Sequence, residues 1–299
     1  MRSLILGATG QIGGLLVAEC EQRDDAVQGT WYRRPHADFL PLDLCDEESV
    51  QRLITDFQPD VVYLAAGLNQ IDFAEANPHE CRAVNVDGVA NVVRAMAGGG
   101  AKLVYFSSSQ VFGECKAAQK EEATPSPLNA YGTALAEAEQ IIRENLADRH
   151  LIVRTNCVYG PEERGRNRAL HAVRRMRDGQ VVTTTDERTC QPTFGPDLAT
   201  VAVDLVKHGC TGTYHVVGPD RMTEFAFVRM TAFIFGLDSD LVANAPVTEL
   251  GEEAPRPRSP WLDRQKLRAE LGPKALRSPG EGLRALRKAE HVPALARVA

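Results

Sequence analysis

The sequence predicts an α/β fold, a doubly wound parallel sheet followed by a smaller C-terminal lobe. Three observations predict it. Short β-rich runs alternate with helical patterns through about residue 160. A glycine-rich turn joins the first run to the first helix. Beyond residue 161 the rhythm loosens and proline-rich stretches such as "EEAPRPRSPW" separate the helices. With 299 residues and 43% hydrophobic content, the chain can bury a sizeable core.

The elements follow in order. "RSLILG" (2–7) is a first strand, and a helix runs from after Gly10 to about Gln22. "VQGTWY" (27–32) is a second strand. "DEESVQRLITDF" (46–57) opens on acids, as a helix N-terminus favours. "DVVYLAA" (60–66) is continuously apolar and reads as a strand buried on both faces. "PHECRAVNVDGVANVVRAMA" (78–97) reads as one long helix with Pro78 in its first turn. "KLVYFSS" (102–108), a helix over 129–148, and the strand "HLIVRTNCVYG" (150–160) complete the alternation. Further helices are expected over 167–178, 197–207, 223–235 and 263–271.

Composition narrows the function classes. Thirty-four Lys and Arg against forty Asp and Glu give a net charge of -6, which argues against a nucleic-acid surface. Basic clusters at 174–179 and from Arg256 to Lys288 read as solvated helix faces. Seven scattered cysteines without a C-x-x-C suit a reducing compartment and give no metal-ligand spacing. No apolar run reaches the roughly 18 residues of a membrane span. A soluble, cytoplasmic protein with no metal is expected.

"GATGQIGG" carries the clearest chemistry. Gly7, Gly10 and Gly13 sit between a strand and a helix, where backbone N–H groups and a helix N-terminus take a pyrophosphate. Thr9, Gln11 and Ile12 belong to the same turn. An acid at the end of the second strand would bond a ribose 2′-hydroxyl and mark NAD. The sequence has Arg33 and Arg34 there, which pair with a 2′-phosphate, so NADP(H) is favoured while NAD(H) stays open. Asp43 and Leu44 would flank the adenine.

These motifs come in order with "LNQIDFAEANPHECRAVNVDG", "FSSSQVFG", "PSPLNAYG", "VRTNCVYG", "QPTFGPDLA", "GTYHVVG" and "RPRSPWLD". Over residues 1–270 the set resembles the extended short-chain dehydrogenases/reductases, specifically the dTDP-4-dehydrorhamnose reductase group. That group also includes the regulatory β-subunit of methionine adenosyltransferase. The resemblance implies a Rossmann domain over 1–160 and a mainly substrate-binding lobe over 161–299, with 197–217 returning to the sheet. It implies hydride transfer to the C4 ketone of a nucleotide-linked deoxysugar, with Ser108 and Tyr131 at the ketone. Ala65, Ala66 and Val158 would line the cofactor. Asn69, Gln70, Tyr159, Arg256 and Arg258 would meet a nucleotide sugar. A homodimer and a regulatory partner protein both stay open.

One position departs from the family pattern. The lysine expected four residues after the tyrosine is Leu135, and no tyrosine in the chain has a lysine at that spacing. A cation about 5 Å from a phenolate, at an effective dielectric of ~20, contributes roughly 3 kcal/mol, or about two pKa units. Without it Tyr131 is expected near the ordinary phenol value of about 10, a poor base and a usable acid. Lys116 and Lys120 are the alternatives that would have to reach in from a distance. Tyr131, Leu135, Ala138, Ile142 and Leu146 also form one apolar stripe of an amphipathic helix. Three functions follow: a 4-keto reductase weakened by Leu135, a catalytically silent cofactor-binding regulator, and a sugar-nucleotide epimerase or dehydratase. The last needs the phenolate most.

Overall fold

The structure, a computed structural model, describes residues 1–290. The last stretch of the expected smaller lobe, 291–299, lies outside the described residues. The first half runs β1 (Arg2–Leu6), α1 (Gln11–Glu21), β2 (Ala26–Trp31), β3 (Leu40–Pro41), α2 (Glu47–Phe57), β4 (Val61–Leu64), α3 (Ile71–Ala76), α4 (Pro78–Arg82), α5 (Gly88–Ala95), β5 (Lys102–Ser108), α6 (Ala130–Leu146) and β6 (His150–Thr155). The second half runs β7 (Val158–Tyr159), α7 (Arg168–Arg177), β8 (Val182–Thr184), β9 (Thr189–Cys190), β10 (Thr193–Phe194), α8 (Gly195–Lys207), β11 (Gly212–His215), β12 (Met222–Thr223), α9 (Glu224–Phe235), β13 (Val242–Asn244), α10 (Gln265–Leu271) and α11 (Pro279–Glu290).

Seven parallel strands form the main sheet in the order β11-β6-β5-β4-β1-β2-β3. Every residue of β4 and β6 is buried, as strands covered on both faces require. One face packs on α2, α5 and α6 through Val50, Val92 and Ile142. The other packs on α1 and α8 through Leu16, Val201 and Leu205. Strand order reverses between β1 and β4, which opens a crevice at their C-terminal ends. The smaller lobe gathers α7, α9 and α11 around Tyr159, Val173, Phe227 and Leu283.

Two expected elements are corrected. The helix over 78–97 is α4, then a π-helical segment Ala83–Asp87, then α5. The wider turn accompanies a buried clamp. Asn85 Nδ2 donates to the Leu68 carbonyl at 2.8 Å, and its Oδ1 accepts from Leu68 N at 2.8 Å. The strand over 150–160 stops at Thr155. Cys157 then turns at φ +44°, a left-handed conformation uncommon for a side-chain-bearing residue, and Val158–Tyr159 pairs instead with Thr193–Phe194.

Candidate active site

The crevice at the strand reversal is a cleft of about 1850 Å³. Its floor is the turn from Gly7 to Gly13. Gly7 takes φ +88°, and a Cβ there would lie 2.8 Å from the Ala66 backbone. A Cβ on Gly13 would collide with the Gly7 carbonyl, so the helix packs this tightly on the strand only with glycine. Gly10 caps α1 without a side-chain acceptor, and the first intrahelical bond runs from Gly14 N to Gly10 O at 2.9 Å. The N–H groups of Gln11, Ile12 and Gly13 are left for an anion. Gln11 Nε2 is buried with no hydrogen-bond partner among the described residues. These features fit a dinucleotide pyrophosphate.

Thr9, Gly10, Gln11, Ile12, Arg33, Arg34, Asp43, Leu44, Ala65, Ala66, Asn69, Gln70, Ser108, Tyr131, Leu135 and Val158 all line the one cleft. Arg34 donates to the Thr9 carbonyl, which ties it to the phosphate turn. Arg33 is exposed and lies 3.3 Å from Glu80. Asp43 accepts from Cys45 N at 2.9 Å, which fixes the turn that carries Leu44.

Ser108 ends β5, and its Oγ accepts from Gln110 N at 3.2 Å to start the short 3-10 turn Ser109–Val111. Helix α6 rests on that turn at Gly132, where a Cβ would strike the Gln110 carbonyl. Asn129 caps the helix by accepting from Gly132 N at 2.8 Å. Its Nδ2 donates to Gln110 Oε1 at 3.0 Å and to the Pro255 carbonyl at 2.8 Å. Glu75 accepts from Ala130 N at 2.8 Å. The helix entry is therefore braced from three directions, and Ser108 and Tyr131 share one cleft.

Tyr131 is half-buried and its hydroxyl has no hydrogen-bond partner among the described residues. Burial, and then Cys81, push its pKa above the ordinary phenol range. That exceeds the value of about 10 expected from loss of the lysine alone, because the pocket removes solvation as well. Leu135 is 4% exposed and belongs to the same core cluster as Ala138, Ile142 and Leu146, with Tyr131 packed against it. No lysine lines the cleft, so neither Lys116 nor Lys120 replaces the missing cation.

Three residues expected at a substrate lie elsewhere. Tyr159 is fully buried among Phe194 and Phe227 and donates to the Pro279 carbonyl at 3.1 Å. Its place in the turned-out β7 carries it into the smaller lobe's core. Arg256 is held by Asp72 through two bonds of 2.9 and 2.7 Å, and Arg258 approaches Glu187 at 3.9 Å. Neither arginine lines the cleft.

Sequence patterning missed a buried network between α6, β5 and β6. Glu139, fully buried, accepts from Arg154 at 2.9 and 2.6 Å, from Ser107 at 2.6 Å and from Arg143 at 2.5 Å. Burial alone would raise its pKa, but Arg154, Ser107 and Arg143 hold it below the usual carboxylate value. His215 packs beside Arg154 at 3.4 Å and stays neutral, its pKa pushed down to about 3 by burial and by that guanidinium. The available signal was a glutamate inside the apolar stripe of α6 and an arginine inside "LIVRT". Among the described residues no group of His, Cys, Asp and Glu is arranged to hold a metal. Among the described residues no helix is long and apolar enough to cross a membrane.

Comparison with known proteins agrees with this fold. The family described as RmlD substrate binding domain matches residues 1–285. Methionine adenosyltransferase 2 subunit beta of Xenopus laevis is 32% identical over 276 residues, covering 89% of this chain and 81% of the relative. The dTDP-4-keto-6-deoxy-D-glucose reductase of Streptomyces niveus is 30% identical over 258 residues, covering 86% of each. The crystal structure of dTDP-4-dehydrorhamnose reductase from Bacillus anthracis, a complex with NADP, superposes with a TM-score of 0.88 at 25% identity over 96% of this chain and 98% of that one. The chain belongs to the RmlD substrate-binding family of extended short-chain dehydrogenases/reductases.

Proposed function

We propose that the protein is an NADPH-dependent reductase of the 4-keto group of a nucleotide-activated deoxysugar, working in the reductive direction and slowed by Leu135. One observation carries this assignment: Ser108 and the unpartnered Tyr131 hydroxyl line the same cleft as the phosphate turn. The turn from Gly7 to Gly13 would hold the pyrophosphate, Arg33 and Arg34 the 2′-phosphate, and Asp43 with Leu44 the adenosine. Ala65, Ala66 and Val158 would border the nicotinamide, and Asn69 and Gln70 the sugar. NAD(H) is the second choice of cofactor. A bound nicotinamide supplies the hydride. Ser108 orients the ketone oxygen, and the Tyr131 hydroxyl gives its proton to the alkoxide forming there.

The raised pKa of Tyr131 suits this direction. At pH 7 the phenol is protonated and can donate. Alcohol oxidation needs the phenolate, so epimerase and dehydratase reactions fit least. The name of the Streptomyces niveus relative and the NADP complex of the Bacillus anthracis neighbour support the substrate and cofactor classes. The test mixes purified protein, NADPH and a dTDP-4-keto-6-deoxyhexose and follows NADPH absorbance. Slow oxidation is expected, with the reverse reaction slower still. Cofactor binding without any NADPH oxidation on such sugars would sink the proposal.

A second reading is a cofactor-binding regulatory subunit without turnover. The burial of Leu135 in the core favours it, as does the identity to methionine adenosyltransferase 2 subunit beta. Co-purification with a partner such as a methionine adenosyltransferase tests it. A chain that is always alone and turns over substrate excludes it.

A further inference from the structure

Arg34 does not face the cleft alone. The segment between β7 and α7 brings Arg164 and Arg166 to the same cleft, and α7 adds Arg174. This segment is a built element. The Glu162 carboxylate accepts from the backbone N–H of Arg166 and, at 2.7 Å, of Asn167. Asn167 Nδ2 donates to the Gly160 carbonyl at 2.9 Å, and its Oδ1 caps α7. Gly165 takes φ +59°, and the Arg174 guanidinium packs where a side chain would stand.

Among the described residues none of Arg34, Arg164, Arg166 and Arg174 is ion-paired to a carboxylate. Asp43, Glu80, Glu162 and Glu163 line the same cleft but form no ion pair with these four arginines among the described residues, so the grouped cations repel one another and draw an anion. Arg34 and Arg164 line this one cleft, and burial, then Arg34, then Arg166 push the pKa of Arg164 down while Glu162 pushes it up. Arg34 is tied to the phosphate turn through Thr9. Arg164 therefore belongs to the adenosine end of the cleft.

We propose that Arg164 is a further cation for the 2′-phosphate of the cofactor, beside Arg33 and Arg34, so that cofactor selection takes arginines from both lobes. This rests on the NADP(H) assignment above. It also gives the smaller lobe a grip on the cofactor that is independent of substrate.

The test measures affinities for NADPH and NADH, with 2′,5′-ADP and 5′-AMP as competitors, in the full-length protein. Arg164→Gln is expected to weaken NADPH and 2′,5′-ADP about tenfold and to leave NADH and 5′-AMP unchanged. Arg164→Lys keeps the charge and most of the preference. Suppose the wild type prefers NADPH. An Arg164→Gln variant that keeps the whole preference, or weakens NADPH and NADH alike, then overturns this inference alone. A wild type without any preference for NADPH overturns the NADP(H) assignment, and this inference with it.

Discussion

The two ends of the cleft differ in kind. At the phosphate-turn end the features agree: a bare helix N-terminus, glycines with no room for a side chain, and Arg34 and Arg164 without a carboxylate partner among the described residues. At the proton-transfer end the features conflict. Tyr131 presents a free hydroxyl, but the residue one turn on is a buried leucine. The braces that hold the helix entry at Tyr131, namely Asn129, Gly132 and Glu75, are nonetheless all in place. On the proposed function, holding a dinucleotide and moving a proton are separate properties of this fold. The first depends on backbone shape, the second on one charge.

The largest test of that separation is Tyr131→Phe. Loss of the proton donor should cut NADPH oxidation by about 10²–10⁴-fold and leave the NADPH dissociation constant unchanged. An equal loss of binding would show that the two ends are one unit. The complementary variant is Gly13→Ala. Its Cβ must displace the Gly7 carbonyl, so cofactor affinity should fall about a hundredfold, with a stability loss of roughly 1–3 kcal/mol. Fluorescence titration and thermal melting separate the two effects. A folded variant with undiminished affinity would remove the phosphate turn from the cofactor site.

Much of this contrast was legible in the sequence because both ends are written locally. The phosphate turn is a strand-turn-helix motif, and Leu135 lies on one helix with Tyr131. What stayed hidden depends on partners far apart in the chain. Arg256 looks free until the fold brings Asp72 to it. Tyr159 looks like a cleft residue until the turn at Cys157 sends it into another core. The π-helical turn at Asn85 is invisible to a 3.6-residue periodicity, since its partner is the backbone of Leu68. Glu139 and Arg154 each look misplaced on their own element and make sense only as a pair.

The buried network of Glu139, Arg154 and His215 should be sensitive to acid. His215 is fully buried and neutral, with a folded pKa of about 3 against 6.5 in an exposed chain. A depressed histidine pKa means that the unfolded chain takes up the proton first. Stability is then fully present above about pH 6.5 and is lost as pH falls toward 3, by about 2 kcal/mol at pH 5. The groups facing the ring are Arg154, Glu121, Glu139 and the Asp263 carbonyl. Glu121, whose pKa burial raises, partly offsets the loss by taking a proton in the folded state. Urea unfolding at pH 7 and pH 5 should show the difference, and His215→Asn should shrink it. A wild type equally stable at both pH values would remove His215 from this role.

Leu135→Lys gives the smallest effect and the sharpest distinction. Leu135 lines the cleft although it is only 4% exposed, so a lysine stem can follow the leucine's path along the core while its amine reaches the cavity. Four residues along one helix face, that amine stands beside the Tyr131 hydroxyl. Its field should lower the phenol pKa by about two units, which speeds proton transfer on the order of tenfold. Burying part of a charge should cost about 1–2 kcal/mol of stability, read by urea unfolding. A folded variant whose NADPH oxidation rises from a low wild-type rate would show a pocket still shaped for a keto sugar and short of one cation. A folded variant with no gain would show that the proton-transfer end no longer admits a ketone. The intact adenosine end would then serve a protein that holds its cofactor for a partner rather than spending it.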